Sequence, residues 1–185
     1  MSIKKKILEY NDFTIEGNNK KSCFSEQLNK CKLSEIYNLS QDYIFICDNC
    51  PHNFKTNFRN VLNGRWCPYC CKPSRKFCDD LNCKHCLNRS FASFENKTKY
   101  GNKIIDLWDK SKNTIVPRRV FKNTHNQYWF NCDNPNCKHP YYARIDNIVN
   151  NGSDSPCKYC TDNLRNRELC ENDKCMLCFH RSLSS

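Results

Sequence analysis

The strongest constraint on what this chain can fold into is a set of eight soft donors that occurs twice in the same order. Cys47, Cys50, His52, Cys67, Cys70, Cys78, Cys83 and Cys86 recur as Cys132, Cys137, His139, Cys157, Cys160, Cys170, Cys175 and Cys178. The offset between copies grows from 85 to 92, and every insertion falls between ligands, never inside Cys67-Pro68-Tyr69-Cys70 or Cys83-x-x-Cys86. The similarity reaches past the donors. Tyr43 and Phe45 precede the first Cys as Tyr128 and Phe130 do, and Phe54, Phe58, Val61 and Leu62 match Tyr141, Ile145, Ile148 and Val149. The tails agree as well, Arg89-Ser90-Phe91 against Arg181-Ser182-Leu183. Self-similarity at this level reads as one structural unit used twice.

The donors point to metal. Of 185 residues 17 are Cys, and Met1 to Tyr10 is basic with only Ile7 and Leu8 as an apolar stretch, too little for a secretory leader. The expected setting is a reducing compartment, cytoplasm, nucleus or virion, rather than secretion, and there such cysteine density favours metal over disulfides. A structural zinc takes four ligands, so eight donors per copy predict two Zn(2+) per repeat and four in the chain. The working partition of repeat 1 is Cys47, Cys50, Cys67 and Cys70 for one ion and His52, Cys78, Cys83 and Cys86 for the other. Because Cys50 and His52 are two residues apart, as are Cys137 and His139 in the second copy, the spacing also admits their exchange between the two sites. A histidine in each set favours zinc over an iron-sulfur cluster. Full sets leave no open coordination position, so the metal is expected to be structural and no catalytic residue is assigned. Cys23, Cys31 and Cys71 remain outside the pattern as free thiols, Cys71 aligning with Thr161. His85, His125 and His180 have no counterparts and read as surface residues or neighbours of ligands. Ser22-Cys23-Phe24-Ser25 echoes Ser90-Phe91-Ala92-Ser93.

Local pattern predicts a small metal-stabilised α+β fold, each unit a short β-hairpin plus a short helix organised by two zinc ions. Tyr43-Ile44-Phe45-Ile46 and Tyr128-Trp129-Phe130 alternate as strands entering the first ligand, and return strands are expected near Phe54 to Thr56 and Tyr141 to Ala143. Phe58, Val61 and Leu62 share one helical face, with Gly64 ending the helix. Residues 1–35 form a lead-in, partly disordered or degenerate, with weak helical character over Glu26 to Asn38. Residues 36–91 are repeat 1, residues 92–119 a bridge with a short helix around Ile104, Ile105, Leu107 and Trp108, and residues 120–185 repeat 2.

Charge narrows the function. Four glycines exclude a Gly-rich phosphate loop, a mean hydropathy of −0.85 without a long apolar run excludes a membrane span, and no membrane partner is expected. No small-molecule substrate is expected. The formal charge of +11 is concentrated: residues 47–91 and 92–131 each carry eight Lys or Arg against three Asp or Glu. Seven thiolates and two zinc ions per copy bring the loaded chain to about +5. Lys55, Arg59, Arg65, Lys72, Arg75, Lys76, Arg118, Arg119 and Lys122, with Trp66 as a stacking ring, are the candidate nucleic-acid contacts. Tyr43, Phe45, Phe54, Tyr128, Phe130 and Tyr141 are expected to pack against the metal instead.

Leu107-Trp108-Asp109 with Asn113 and Pro117, followed by Tyr128-Trp129-Phe130-x-Cys132, Cys137-x-His139 and Cys157-x-x-Cys160, resembles a zinc-ribbon, treble-clef-like repeat family found in tandem in plant proteins and in proteins of large DNA viruses. The resemblance covers about residues 36 to 185 and implies two tandem zinc-ribbon or treble-clef-like units in a viral protein. The nucleic-acid binding (DNA or RNA) it implies rests on analogy of fold. Some viral relatives add a nuclease domain, but no acidic cluster suited to a catalytic magnesium stands in this chain. The resulting expectation is a non-enzymatic zinc-binding tandem-repeat protein that binds nucleic acid through a basic face of repeat 1 and the bridge. The alternative is a protein-interaction or virion scaffold module. Repeat 1 carries no Trp-Asp and Asn-Pro lead-in like that of the bridge.

Overall fold

The computed structural model describes residues 14–15, 18–151, 157–161, 168–172 and 174–183. Residues 1–13 and 16–17 of the lead-in, and with them the disorder expected in part of it, lie outside these. The chain divides into two compact units, residues 1–80 and 81–185.

The first unit is built on one hairpin. A two-residue ladder, β1 (Thr14–Ile15) with β2 (Asn18–Asn19), precedes a short helix, α1 (Glu26–Asn29), and the hairpin pairs β3 (Asp42–Ile46) with β4 (Asn53–Asn57). The period of two turns Tyr43 and Phe45 inward, 6% and 0% exposed, and leaves Ile46 outside. Asn57 ends β4 and starts α2 (Phe58–Leu62), its side chain accepting from the Asn60 N–H at 2.9 Å. Gly64, at φ +73°, supplies the left-handed turn beyond this helix. Phe24, Tyr43, Phe45 and Phe58 form an aromatic core with ring centroids 5.4–5.8 Å apart in tilted or edge-on contacts.

Residues before the hairpin belong to this core. Phe24 bridges Phe45, and the Ser25 N–H donates to the Ile44 carbonyl at 3.2 Å. The Asn29 side chain donates to the Ile44 carbonyl and accepts from the Ile44 N–H, both at 2.8 Å, pairing with the strand edge as a backbone would. Ser25 Oγ accepts from the Leu28 N–H and caps α1. The helical expectation for Glu26 to Asn38 is realised as α1 and a 3-10 turn at Leu33–Glu35, after which Ile36 is 2% exposed.

The second unit begins with α3 (Lys84–Arg89) and contains 3-10 turns at Phe91–Ser93, Ile104–Leu107 and Pro117–Arg119. Its hairpin pairs β5 (Gln127–Asn131) with β6 (Pro140–Arg144), followed by α4 (Ile145–Asn151) and α5 (Met176–Ser182). Phe91, Ile104, Trp108, Val120, Phe130, Tyr141 and Ile145 are its buried core. The Phe91 N–H donates to Val120 O at 2.7 Å and the Lys122 N–H to Arg89 O at 3.2 Å, tying the tail of α3 to the strand entry.

The lead-in of this unit repeats the bonds of the first. Trp108 bridges Phe130, and the Asp109 N–H donates to Trp129 O at 3.1 Å. Asn113 exchanges bonds of 2.8 and 3.0 Å with the Trp129 backbone, and Asp109 caps the Lys112 N–H. Phe24 and Trp108, Ser25 and Asp109, Asn29 and Asn113, and Ile36 and Val120 all stand 84 residues apart. The first copy therefore has such a lead-in, in different residues: phenylalanine fills the tryptophan's place, and serine caps where aspartate does. Phe24 likewise takes the role of Trp108 and not that of Phe91, which corrects the echo seen between residues 22–25 and 90–93.

Candidate metal centre

Each hairpin delivers its first two cysteines at the turn between strands, and a second pair follows the helix. In the first unit Cys47, Cys50, Cys67 and Cys70 bring their sulfurs within 4.8 Å of one another. Cys47 and Cys70 are 3.4 Å apart and Cys50 and Cys67 3.5 Å. In the second unit Cys132, Cys137, Cys157 and Cys160 form the same set, with separations of 3.4 and 3.7 Å. Zn–S bonds of about 2.3 Å give a tetrahedron edges of about 3.8 Å, so these donor sets fit one zinc each. No disulfide links any of the 17 cysteines.

Backbone amides point at the sulfurs, as a thiolate site needs. The Asn49 N–H donates to Cys47 Sγ at 3.4 Å. Burial, with Cys47 the main neighbour adding to it, pushes the Cys70 thiol up to about 12, and burial does the same for Cys137, also to about 12. Cys67 is raised further, chiefly by burial, and Cys157 by its contacts with Cys132 and Cys160. Cys47 is held below the usual thiol range although burial opposes it, the Asn49 amide and the neighbouring thiols outweighing that cost. Four crowded sulfurs cannot all ionise alone; a divalent cation supplies the compensating charge.

A third donor set lies within the second unit: His139, Cys170, Cys175 and Cys178. His139 Nε2 is 3.3 Å from Cys175 Sγ and 4.0 Å from Cys178 Sγ, while its Nδ1 is 3.0 Å from Cys137 Sγ. One imidazole thus faces both sets of the unit, and the partition without exchange is the one formed: Cys137 stays with the four-cysteine set. Tyr159 stacks on the ring at 4.6 Å and fixes it. Cys175 is the N-cap residue of α5, and its thiol lies below the usual range because the Cys178 N–H reaches it.

In the first unit His52 is held the same way. Its Nδ1 is 3.2 Å from Cys50 Sγ, and Tyr69 stacks on it at 4.4 Å. Cys78 lies in this unit, whereas Cys83, the N-cap of α3, and Cys86, 1% exposed, lie in the other. Cys71 turns its sulfur to the Pro73 carbonyl at 3.2 Å, and among the described residues Cys23, Cys31 and Cys71 join no donor set. His125 is a surface residue bonded to Asp146 and Arg144.

Lys55, Arg59, Arg65, Lys72, Arg75 and Lys76 are exposed. Arg118 is not: it is 9% exposed and donates through Nε to Leu81 O, so it serves packing within the second unit. Arg119 and Lys122 are half-buried. Trp66 packs edge-on against Phe45 and Phe54, donates to Asp48 at 3.1 Å and carries Lys20 over its ring. Tyr43, Phe45, Phe54, Phe130 and Tyr141 are buried as expected, and Tyr128 is half-buried against Trp108.

Several supporting residues gave no clear signal in sequence. Asp48, directly after Cys47, binds Lys20, which is 1% exposed, and Asp133, directly after Cys132, accepts from Thr98 and Asn102. Each aspartate fastens an upstream segment to a metal-bearing turn. Arg181 donates to the carbonyls of Tyr159, Cys160 and Thr161 and closes the turn that carries Cys157 and Cys160. The agreement of the two tails around Arg89 and Arg181 was its only trace.

Residues 104–163 match the family model described as "Probable Treble clef zinc finger domain". An uncharacterized protein of Acanthamoeba polyphaga mimivirus is 30% identical over 168 residues, which cover 85% of this chain and 35% of that protein. The chain thus spans about a third of the relative's length. No solved structure matches it. Donor geometry and the family-model match together support zinc binding and a treble-clef zinc finger over residues 104–163, and the mimivirus protein is a viral relative of the chain.

Proposed function

From a chain whose residues 104–163 match a probable treble-clef zinc-finger model, we propose a non-enzymatic tandem zinc protein that binds nucleic acid through its first repeat. The matched segment opens at Ile104, and the corresponding position 84 residues earlier is Lys20. Repeat 1 accordingly begins near residue 20, and the segment before the hairpin is its own lead-in.

Four Zn(2+) are held, two per repeat. Three sets are those described within the units; the fourth is His52 with Cys78, Cys83 and Cys86. Its support is the shared orientation of the histidines. His52 commits Nδ1 to Cys50 as His139 does to Cys137, leaving Nε2 for the second ion. Cys83 stands at the N-cap position of α3 as Cys175 does at that of α5. Each ion then has four protein ligands and no open position, which supports a structural role and no catalysis.

The observation that carries nucleic-acid binding is the run of exposed cations Lys55, Arg59, Arg65, Lys72, Arg75 and Lys76, which flanks Cys67 and Cys70 in sequence. Phosphates are the partner such a run fits, without strong sequence readout. Fluorescence anisotropy with mixed-sequence DNA and RNA tests this. Affinity is expected to fall steeply with salt, and K72E or R75E to lower the slope of log K against log salt by about one. Absence of binding at low salt to both nucleic acids overturns the reading. A reducing compartment, cytoplasm, nucleus or virion, is the proposed setting. A protein-interaction or scaffold role is the second reading, favoured by the groove described next.

A further inference from the structure

In the second unit the outer side of the hairpin is filled by the chain's own rings. Trp129 and Tyr142 face each other across β5 and β6 with centroids 5.0 Å apart, and Lys112 Nζ lies 4.3 Å from the centre of the Trp129 ring. By the hairpin register and the constant lead-in offset, the corresponding residues of the first unit are Ile44, Lys55 and Leu28. The large ring is missing there, and these three side chains line a groove of about 410 Å³.

The other wall of the groove has a definite chemistry. Glu35 and Asp42 line it, and Tyr37 and Leu28 stand 67% and 44% exposed at its rim. Glu35 and Asp42 outnumber Lys55 among its lining residues, and burial first, then the carboxylates of Glu35 and Glu26, raise the Cys31 thiol that also lines it. An apolar slot shaped for a ring and edged by carboxylates selects a flat group next to a positive charge. A nucleobase fits less well, because its phosphate would approach the same carboxylates.

We propose that this groove binds an aromatic side chain of a partner polypeptide with a lysine or arginine beside it. The ring takes the place that Trp129 holds in the second unit, and the cation meets Glu35 and Asp42. Zinc-loaded full-length protein, labelled with 15N, is titrated with acetyl-Gly-Trp-Lys-Gly-amide, with the same peptide carrying Glu in place of Lys, and with single-stranded oligothymidylate. Saturable shifts confined to the amides of residues 28–44 are expected with the lysine peptide, and weaker ones with the glutamate peptide. Ile44→Trp, which restores the residue found in the other unit, should abolish them, and Glu35→Gln should weaken the lysine peptide by up to about fivefold. If Ile44→Trp fails to keep its zinc, Glu35→Gln decides alone. No saturable shift at these residues, an unchanged response in the folded variants, or preferential movement of the same resonances by oligothymidylate overturns the proposal.

Discussion

At the scale of single residues, much of the specificity of this fold rests on two asparagines that serve as strand edges. Asn29 and Asn113 each satisfy both the N–H and the carbonyl of one hairpin residue, Ile44 and Trp129. Replacing either by alanine strands the N–H of that hairpin residue in a partly buried place, while its carbonyl still accepts from the Ser25 or Asp109 N–H, and one unsatisfied group of this kind costs about 1–3 kcal/mol. N29A and N113A are therefore each expected to lower stability by about that amount in urea melts of the zinc-loaded protein. The cysteines separate more sharply. Cys67→Ser should release one zinc per chain in native mass spectrometry, because its sulfur stands 3.5 Å from Cys50 inside a four-sulfur set. Cys71→Ser should release none, its sulfur facing only carbonyl oxygens. Equal loss in both variants would mean the donor set is misassigned.

At the scale of elements, each metal set joins a hairpin turn to a later turn or helix start, and protons compete with the metal for it. In the absence of metal the raised thiols, Cys70 and Cys137 near 12 and Cys178 near 11, keep their protons at neutral pH. Zinc displaces those protons, so its affinity rises with pH and is lost as pH falls. For a four-cysteine set, about three to four protons leave per ion, fewer than four to the extent that Cys47 is already ionised. Reloading chelated protein at pH 7 in weak buffer should release that number per set, and apparent affinity should drop by about three to four powers of ten per pH unit below neutrality. A release near zero would mean the thiols are ionised before the metal arrives. These elements were largely legible in sequence, because period-two alternation set β3 and β5, and the i, i+3, i+4 face of Phe58, Val61 and Leu62 set α2. The donor sets were legible too, since thiol spacing is a chemical constraint that survives changes elsewhere. The lead-in was not. Its function is carried by one side-chain amide and one cap, and Ser25 with Phe24 performs in the first unit what Asp109 with Trp108 performs in the second, so residue identity changed while the bonds did not. Arg118 misled for the opposite reason: charge alone cannot distinguish a cation facing solvent from a buried one whose Nε is bonded to a backbone carbonyl.

At the scale of the whole molecule, a chain with so little apolar surface relies on metal and aromatic rings together. Small units of this kind bury too little area to fold on hydrophobic gain alone, and structural zinc contributes on the order of 10 kcal/mol of folding free energy in comparable peptides. Chelation should therefore unfold both units, yet metal should not suffice without the lead-in. Phe24 touches Tyr43, Phe45 and Phe58 at once, and Ile36 is buried beside them. Deleting residues 1–35 removes Phe24, the Ser25 cap and Asn29, and exposes Phe45 on one side. A fully buried aromatic ring is worth about 1.5–3 kcal/mol, and the lost strand-edge bonds add a similar amount, which together approach the margin of a small domain. The truncated chain is expected to lose the ion bound by Cys47, Cys50, Cys67 and Cys70 and the dispersion of its first-unit resonances. The set of Cys132, Cys137, Cys157 and Cys160 should stay loaded, because its own lead-in, from Ile104 to Val120, is intact. Zinc content and an amide spectrum of the truncated protein check both halves. If the first set keeps its metal and its spectrum, the hairpin and knuckles suffice by themselves, and the repeat begins after residue 35 and not near residue 20.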